Sequence, residues 1–514
     1  MPTSQRANPN LTLGLVCLAI FIGGLDLTVA SAVLPKILLD FQVSIDTELN
    51  RAAWTISGYL LAYTVSMTFM GRLSDLAGRR TTYLVCLGIF IGGSIIVAAA
   101  PNLNVMIGGR VVQAFGAGAM VPISMALVGD LFPPGKRAPA LGFIGAVDTA
   151  GWMVGHLYGG ILMRAFDDWR LLFWINVPVG LIALGLTWRA LRDVPQQRAA
   201  GTFDWLGALL ISGSLIALNI GLAAGAELGA TDFYSTRAGP PPYALPLVIV
   251  ALALLAAFIW IERCTRDPLL DLTLFRQRAA SGACAVNALT GFILAMAIVN
   301  VPLFINARLT LINPTADPDI LRRAAWETGW VLSALTLAMA LAAVPGGWLA
   351  SRFGARLPTI LGLLMALAGY LLMSRWDAAS VYATMAPELI LAGIGLGLVI
   401  SPVADTVIQV ASVAQRGSAS TLVIMLRLVG MTIGVAMLTI WAVQRTNVLR
   451  QTGANDPLAT SDPGLFLMNV AAQVIGETFL FGAAACLLAL AAAWFLRGKA
   501  LPGRSDGSAD RAKR

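Results

Sequence analysis

The chain has a single histidine in 514 residues, five cysteines, and only 12% charged residues. One histidine cannot assemble a His-rich metal centre, and no H-E-x-x-H, G-x-S-x-G or P-loop occurs, which leaves membrane-enzyme chemistry without a site. With no soluble domain to signal through, a non-transporting sensor is equally remote. Cys17, Cys86, Cys284 and Cys486 lie within apolar runs and Cys264 in a short loop, so there is no disulfide framework. Charge is about half the globular average. The net charge of +8 comes from positives scattered singly rather than gathered into a patch, which argues against a nucleic-acid partner.

Apolar sequence takes their place, at 58% of the chain. Runs such as 83–107, 205–226, 243–260 and 478–496 each reach the ~20 helical residues that cross a hydrocarbon core of about 30 Å. Their recurrence predicts an all-α polytopic membrane protein. Marking apolar stretches against charged or Pro/Gly-rich breaks predicts fourteen spans, at 11–34, 53–71, 81–100, 104–129, 139–163, 170–190, 205–226, 243–262, 279–307, 327–350, 357–375, 383–404, 417–443 and 475–497. The first is long and holds Asp26, so it reads as a span and not a cleaved signal. Lys and Arg are concentrated on the side of the termini (Arg79 and Arg80, Lys136 and Arg137, Arg352 and Arg356, the basic tail), which predicts a plasma-membrane protein with both termini in the cytoplasm. In the longest outer segment, 444–474, GLFLMNVAAQVI reads as the start of a short surface helix.

The chain repeats itself. GRLSDLAGRR (71–80) is echoed by GWLASRFGAR (347–356), and Arg137, Gly151 and Gly155 match Arg416, Gly430 and Gly434 at nearly the same offset. Two homologous six-helix halves follow, 11–190 and 279–497. Between them lies a linker, 191–278, with two inserted spans (205–226, 243–262), and short ends complete the chain at 1–10 and 498–514. Duplicated halves around a midplane site are a transporter design.

GRLSDLAGRR resembles the loop-2/3 signature of the major facilitator superfamily. Fourteen spans, LDLTVASAVLP (25–35), GRVVQAFGAGAMVP (109–122) and WRLLFWINVPVG (169–180) resemble its fourteen-spanner drug:proton antiporter branch. The resemblance implies a conformational lock at Gly71, Asp75, Gly78, Arg79, Arg80 and Asp130; the plainer reading of the arginines is topology alone. In the second copy Ser351 replaces the acid, so a weaker or absent lock is expected there. GFIGAVDTAGWMVGHLYGG resembles the antiporter signature of span 5, with Gly142, Gly151, Gly155, Gly159 and Gly160 in place and His156 where the signature has proline.

Ionisable residues at membrane depth are functional candidates, since each costs roughly 2.5–3.5 kcal/mol to insert. Asp26 in span 1 and Arg110 in span 4 lie within about 3 Å of one depth at 1.5 Å per residue. A pair facing the central cavity, where Asp26 exchanges Arg110 for a proton or a cation, stands against a permanent structural pair. Asp148 and Arg427 occupy equivalent positions of spans 5 and 13, matched in depth without needing to touch. Asp405 and Glu388, near the ends of span 12, read as solvated. His156 admits three readings: a neutral ring bonded to a carbonyl, a proton relay, or a substrate contact. It is expected to leave its helix straighter than proline would, with the glycine stripe packed on the C-terminal half.

The sequence therefore predicts a monomeric secondary transporter, with a small-molecule substrate, protons and membrane lipids as its partners. No cofactor or metal is expected, and the proton gradient supplies the energy. Export of amphipathic or cationic drugs is the first reading, with aromatics such as Trp54, Tyr59, Tyr63 and Trp152 against flat substrates. Export of one endogenous metabolite, siderophore or lipid on the same fold is the second.

Overall fold

The computed structural model describes residues 8–42, 45–166, 168–194, 196, 198–223, 242–312, 320–453 and 456–497. The described residues form helices and connecting turns, with no strand among them. The first group of helices is α1 (Pro9–Asp40), α2 (Ile45–Ala77), α3 (Arg79–Ala98), α4 (Leu103–Gly118), α5 (Met120–Leu131), α6 (Pro134–Phe166) and α7 (Arg170–Ala190). Two more, α8 (Trp205–Ala223) and α9 (Ala244–Cys264), lead into α10 (Arg278–Ile312), α11 (Ile320–Phe353), α12 (Arg356–Met373) and α13 (Tyr382–Val410). The chain closes with α14 (Arg416–Thr452), the short α15 (Pro457–Ser461) and α16 (Pro463–Ala493).

By length and composition, 12 helical stretches among the described residues are apolar enough to cross a membrane. Helices α2 and α6 fall outside that set. Each has 33 residues, about 50 Å of helix, and each packs inside the bundle. The protein is an all-α, multi-pass membrane protein.

Local chemistry explains the breaks. Gly78 (φ 99°) separates α2 from α3 and Gly354 (φ 85°) separates α11 from α12. These are matching glycines of the two echoing loops, at a left-handed turn where a Cβ is strained. The fourth predicted span divides into α4 and α5 at Ala119 because Pro122, in the first turn of α5, has no N–H to continue the ladder. GLFLMNVAAQVI is not a surface helix: Asp462 caps Leu465 N at 2.9 Å, and the segment forms the opening turns of α16.

The repeat is visible as packing. A Cβ on Gly24 of α1 would lie 3.0 Å from the Asp148 carbonyl oxygen of α6, and one on Gly291 of α10 would lie 1.9 Å from that of Arg427 of α14. The glycine seam of α6 corrects an expectation. Gly151 and Gly155 pack on α1, where a Cβ would come 2.7 Å from Phe21 O and 2.3 Å from Leu25 O. Of the stripe glycines whose surroundings are described, Gly142 is the one that meets the C-terminal helices, at Ala343 O of α11 (2.4 Å). Likewise Gly430 and Gly434 of α14 press on Ala288 and Phe292 of α10. Small residues bring backbones together within one group of helices, and the two groups meet along other faces, α6 on α11 and α2 on α14. Helix α8 leans on that second seam, with Thr68 and Ser212 hydroxyls 3.1 Å apart and Asn219 Nδ2 donating to Thr432 (3.4 Å).

Candidate functional site

Asp26 and Arg110 meet among the N-terminal helices, both without solvent exposure. One guanidinium nitrogen of Arg110 donates to Asp26 Oδ2 and to Gln113 Oε1 (2.8 Å), and the other donates to the Asp26 carbonyl (3.2 Å). Asn176 of α7 donates to Asp26 Oδ1 at 2.8 Å. Gln113 Nε2 donates to Ser94 of α3 at 2.8 Å, and the Ser94 hydroxyl donates to Phe90 O at 2.9 Å. The guanidinium carbon lies 3.9 Å from the centre of the Tyr59 ring, a cation–π contact. Five helices thus converge on one ion pair, which is fully buried among them. An open surface pocket at the far end of α1, lined by Asp40, Phe41 and Arg51 among others, lies apart from Asp26 and Asp148.

Asn176, Gln113 and Ser94 are absent from the sequence reading. The signal was faint: Asn176 sits in WRLLFWINVPVG and Gln113 one turn beyond Arg110, both unremarkable until a charge is known to need partners.

The second pair spans the groups. Arg427 of α14 approaches Asp148 of α6 at 3.5 Å, and both side chains are buried. Their sequence offset predicts equal depth; the structure adds contact, which the two side chains make while α6 packs on α1 and α11 and α14 packs on α10 and α2. The pair is only partly satisfied. Among the described residues, Asp148 Oδ1 and Arg427 Nε have no hydrogen-bond partner. A buried pair with vacancies breaks more cheaply than one with every lone pair engaged. The backbone of His156 continues α6 without interruption, while its side chain, like the position of Gly160, lies outside the described residues. Gly159 is buried.

A third cluster of charges gathers at the end of the bundle that carries the signature loop. Arg79 donates to Asp130 through Nε and forms an ion pair with Asp75, Nη1 to Oδ1 at 3.0 Å. Asp130 also receives Arg416 Nη1 at 2.9 Å. Asp75 accepts from the backbone N–H groups of Gly417 (3.0 Å) and Ser418 (3.1 Å), at the first turn of α14, where unpaired donors favour an anion. Burial pushes the Asp75 carboxyl above the usual carboxylate range, and Arg79 and these amides pull it back. Gly71 permits the approach: a Cβ there would lie 1.9 Å from Thr421 Oγ1. Arg80 stands outside the cluster, over the Trp188 ring at 5.7 Å, while its backbone N–H donates to Gln196 (3.0 Å). The contributions of Arg416 and the α14 N-terminus have no local signature, since they come from more than 330 residues away. In the second copy Ser351 bonds only Trp348 O, one turn back on its own helix.

One further acid departs from expectation. Asp405 is buried, bonded to Gln409, with Oδ1 unpaired, because α13 continues to Val410 and carries it inside the bundle. Glu388 accepts the indole N–H of Trp376 at 2.6 Å. Among the aromatics, Tyr59 and Tyr63 are buried and stacked at 6.1 Å, whereas Trp54 is exposed.

Comparison with known proteins agrees with this architecture. A triacylglyceride transporter of Mycolicibacterium hassiacum is 33% identical over 96% of this chain and 93% of its own length. One from Mycobacterium tuberculosis strain H37Rv is 33% identical over 86% and 84%. The human organic anion transporter MFSD10 (TETRAN) shares the fold with a TM-score of 0.59 at 14% identity, over 93% of this chain and 99% of that one. The proton:xylose symporter XylE does so at 0.57 and 14%, over 93% and 94%. The sequence pattern of the Major Facilitator Superfamily matches residues 16–312 and 283–513, and the chain belongs to that family of transporters.

Proposed function

We propose that this secondary transporter exports a neutral or amphipathic lipid by alternating access, driven by protons taken up at Asp26 and Asp148. One observation carries the reading: both mid-depth aspartates face arginines, Asp26 with Arg110 and Asp148 with Arg427. An interior whose acids are already neutralised offers no free anion to a cationic drug, and it does not repel an uncharged lipid. The names of the relatives, triacylglyceride transporters, point the same way and give the multidrug reading no support. The branch resemblance of the span signatures remains the one feature that favours drug efflux.

The cluster of Asp75, Arg79, Asp130 and Arg416 holds one entrance shut, and Asp148–Arg427 ties the halves at mid-depth. Protonation of Asp148 removes its charge, frees Arg427 and lets the halves part. On this reading the halves are 11–190 and 279–497, the inserted pair is 205–226 and 243–262, the lock faces the cytoplasm, and the unit is a monomer. The stretch 498–514 lies outside the described residues.

The test uses the purified full-length chain in liposomes, with a fluorescent triacylglyceride and ethidium as probes under an imposed pH gradient. Gradient-dependent movement of the lipid, lost in Asp148→Asn, is expected. Movement of ethidium with none of the lipid overturns the reading.

A further inference from the structure

The hydrogen bonds around Asp26 have a sense that can be read off. Arginine has donors only. The Ser94 proton goes to Phe90 O, so its lone pairs receive the Gln113 amide nitrogen, which turns the Gln113 carbonyl toward Arg110. Tyr59 gives its hydroxyl proton to Gly23 O at 3.4 Å. The Arg110 Nε–H has no partner among the described residues but, as a donor, cannot receive a proton; the Asn176 side chain makes a single bond among them, from Nδ2 to Asp26 Oδ1, which leaves its carbonyl oxygen as an acceptor. The titratable groups facing Asp26 are Arg110 from α4, Tyr59 from α2 and Tyr158 from α6; α3 and α7 contribute only Ser94 and Asn176.

A proton on Asp26 Oδ1 turns that oxygen from acceptor to donor. It then opposes the Asn176 N–H, and no arginine nitrogen can receive it. A carboxamide carries a donor and an acceptor on opposite corners of one plane, so a half-turn about its last side-chain bond exchanges them.

We propose that Asn176 is the positioning residue that accommodates the proton on Asp26, its amide reversing from donor to acceptor as the carboxylate becomes a carboxyl. The added proton comes from solvent and stays on Asp26; Asn176 forms and breaks no covalent bond. Arg110, its counter-charge gone, keeps Gln113, the Asp26 carbonyl and the Tyr59 ring, so it stays in place, while its bond to Asp26 Oδ2 weakens to one between a cation and the carbonyl oxygen of a neutral acid. The inference rests on the reading of Asp26 as a coupling acid.

The experiment is infrared difference spectroscopy, acid minus alkaline, on the full-length protein in lipid nanodiscs without substrate. The wild type should show a carboxylic C=O band that Asp26→Asn removes. Asn176→Val should move that band to higher wavenumber, because the O–H has lost its acceptor. Asn176→Thr, of the same shape but with a hydroxyl, should return it. In the wild type labelled with 13C-asparagine, an amide C=O shift should accompany protonation and vanish in Asp26→Asn, a measurement that needs no Asn176 variant to fold. An Asp26 band unmoved in Asn176→Val, moved equally in Asn176→Thr, or unaccompanied by an asparagine shift overturns the role of Asn176 alone. Absence of any Asp26 band overturns the coupling reading beneath it.

Discussion

Asp26, Gln113 and the Tyr59 ring replace the water that the Arg110 guanidinium gave up on burial. Taking away one member is therefore different from taking away both. Asp26→Asn leaves a buried guanidinium without a counter-charge and should cost about 3–5 kcal/mol of stability. The double variant Asp26→Asn/Arg110→Met should recover most of that loss in thermal unfolding of the detergent-solubilised protein. Strictly additive losses would show that the two side chains are not energetically coupled. Asp148 and Arg427, with orphaned polar atoms on both sides, should couple more weakly in the same double-mutant cycle.

Among elements, the glycines divide into those that carry a helix contact and those that face open space. Gly430 brings α14 against α10, where a Cβ would sit 1.8 Å from Ala288 O. Gly430→Ala must push two backbones apart and should destabilise by about 1–3 kcal/mol or more. Gly88 of α3 has nothing within 4 Å, and Gly88→Ala should be neutral or stabilising by up to about 1 kcal/mol, since alanine is the better helix former. Thermal unfolding of the two variants side by side checks the pair. Equal effects would mean that the α10–α14 approach is looser than described. Helix α8 bonds both α2 and α14, so it spans the seam along which two groups of helices meet.

For the whole molecule, the state is set by which end is closed. Thr421 is buried against Gly71, donating to Met67 O at 3.1 Å, on the far side of the Asp130–Arg416 pair. Asp130→Asn weakens both arginine bonds that cross this end. A cysteine at Thr421, in a chain whose exposed Cys264 has been replaced by serine, should then react with maleimide about tenfold faster, the ratio that 1.4 kcal/mol gives. An unchanged rate would show that helix packing, and not the charge cluster, keeps this end shut.

Much of this was legible in the residues alone. Long apolar runs leave no alternative to membrane helices, because a backbone in hydrocarbon must satisfy its own hydrogen bonds. The echo of GRLSDLAGRR in GWLASRFGAR announced the duplication, and Gly78 and Gly354 share a positive φ accordingly. The depths of Asp26, Arg110, Asp148 and Arg427 followed from a rise of 1.5 Å per residue. What a helical repeat cannot encode is which neighbour each face meets. Only the tertiary structure turned Asp148 toward Arg427, set Gly151 and Gly155 on α1, drew Arg416 and Gly417 to the signature loop, and supplied Asn176 and Gln113 to the buried pair. Periodicity specifies position along and around one helix, and the partner across the gap is chosen by the packing of all the others.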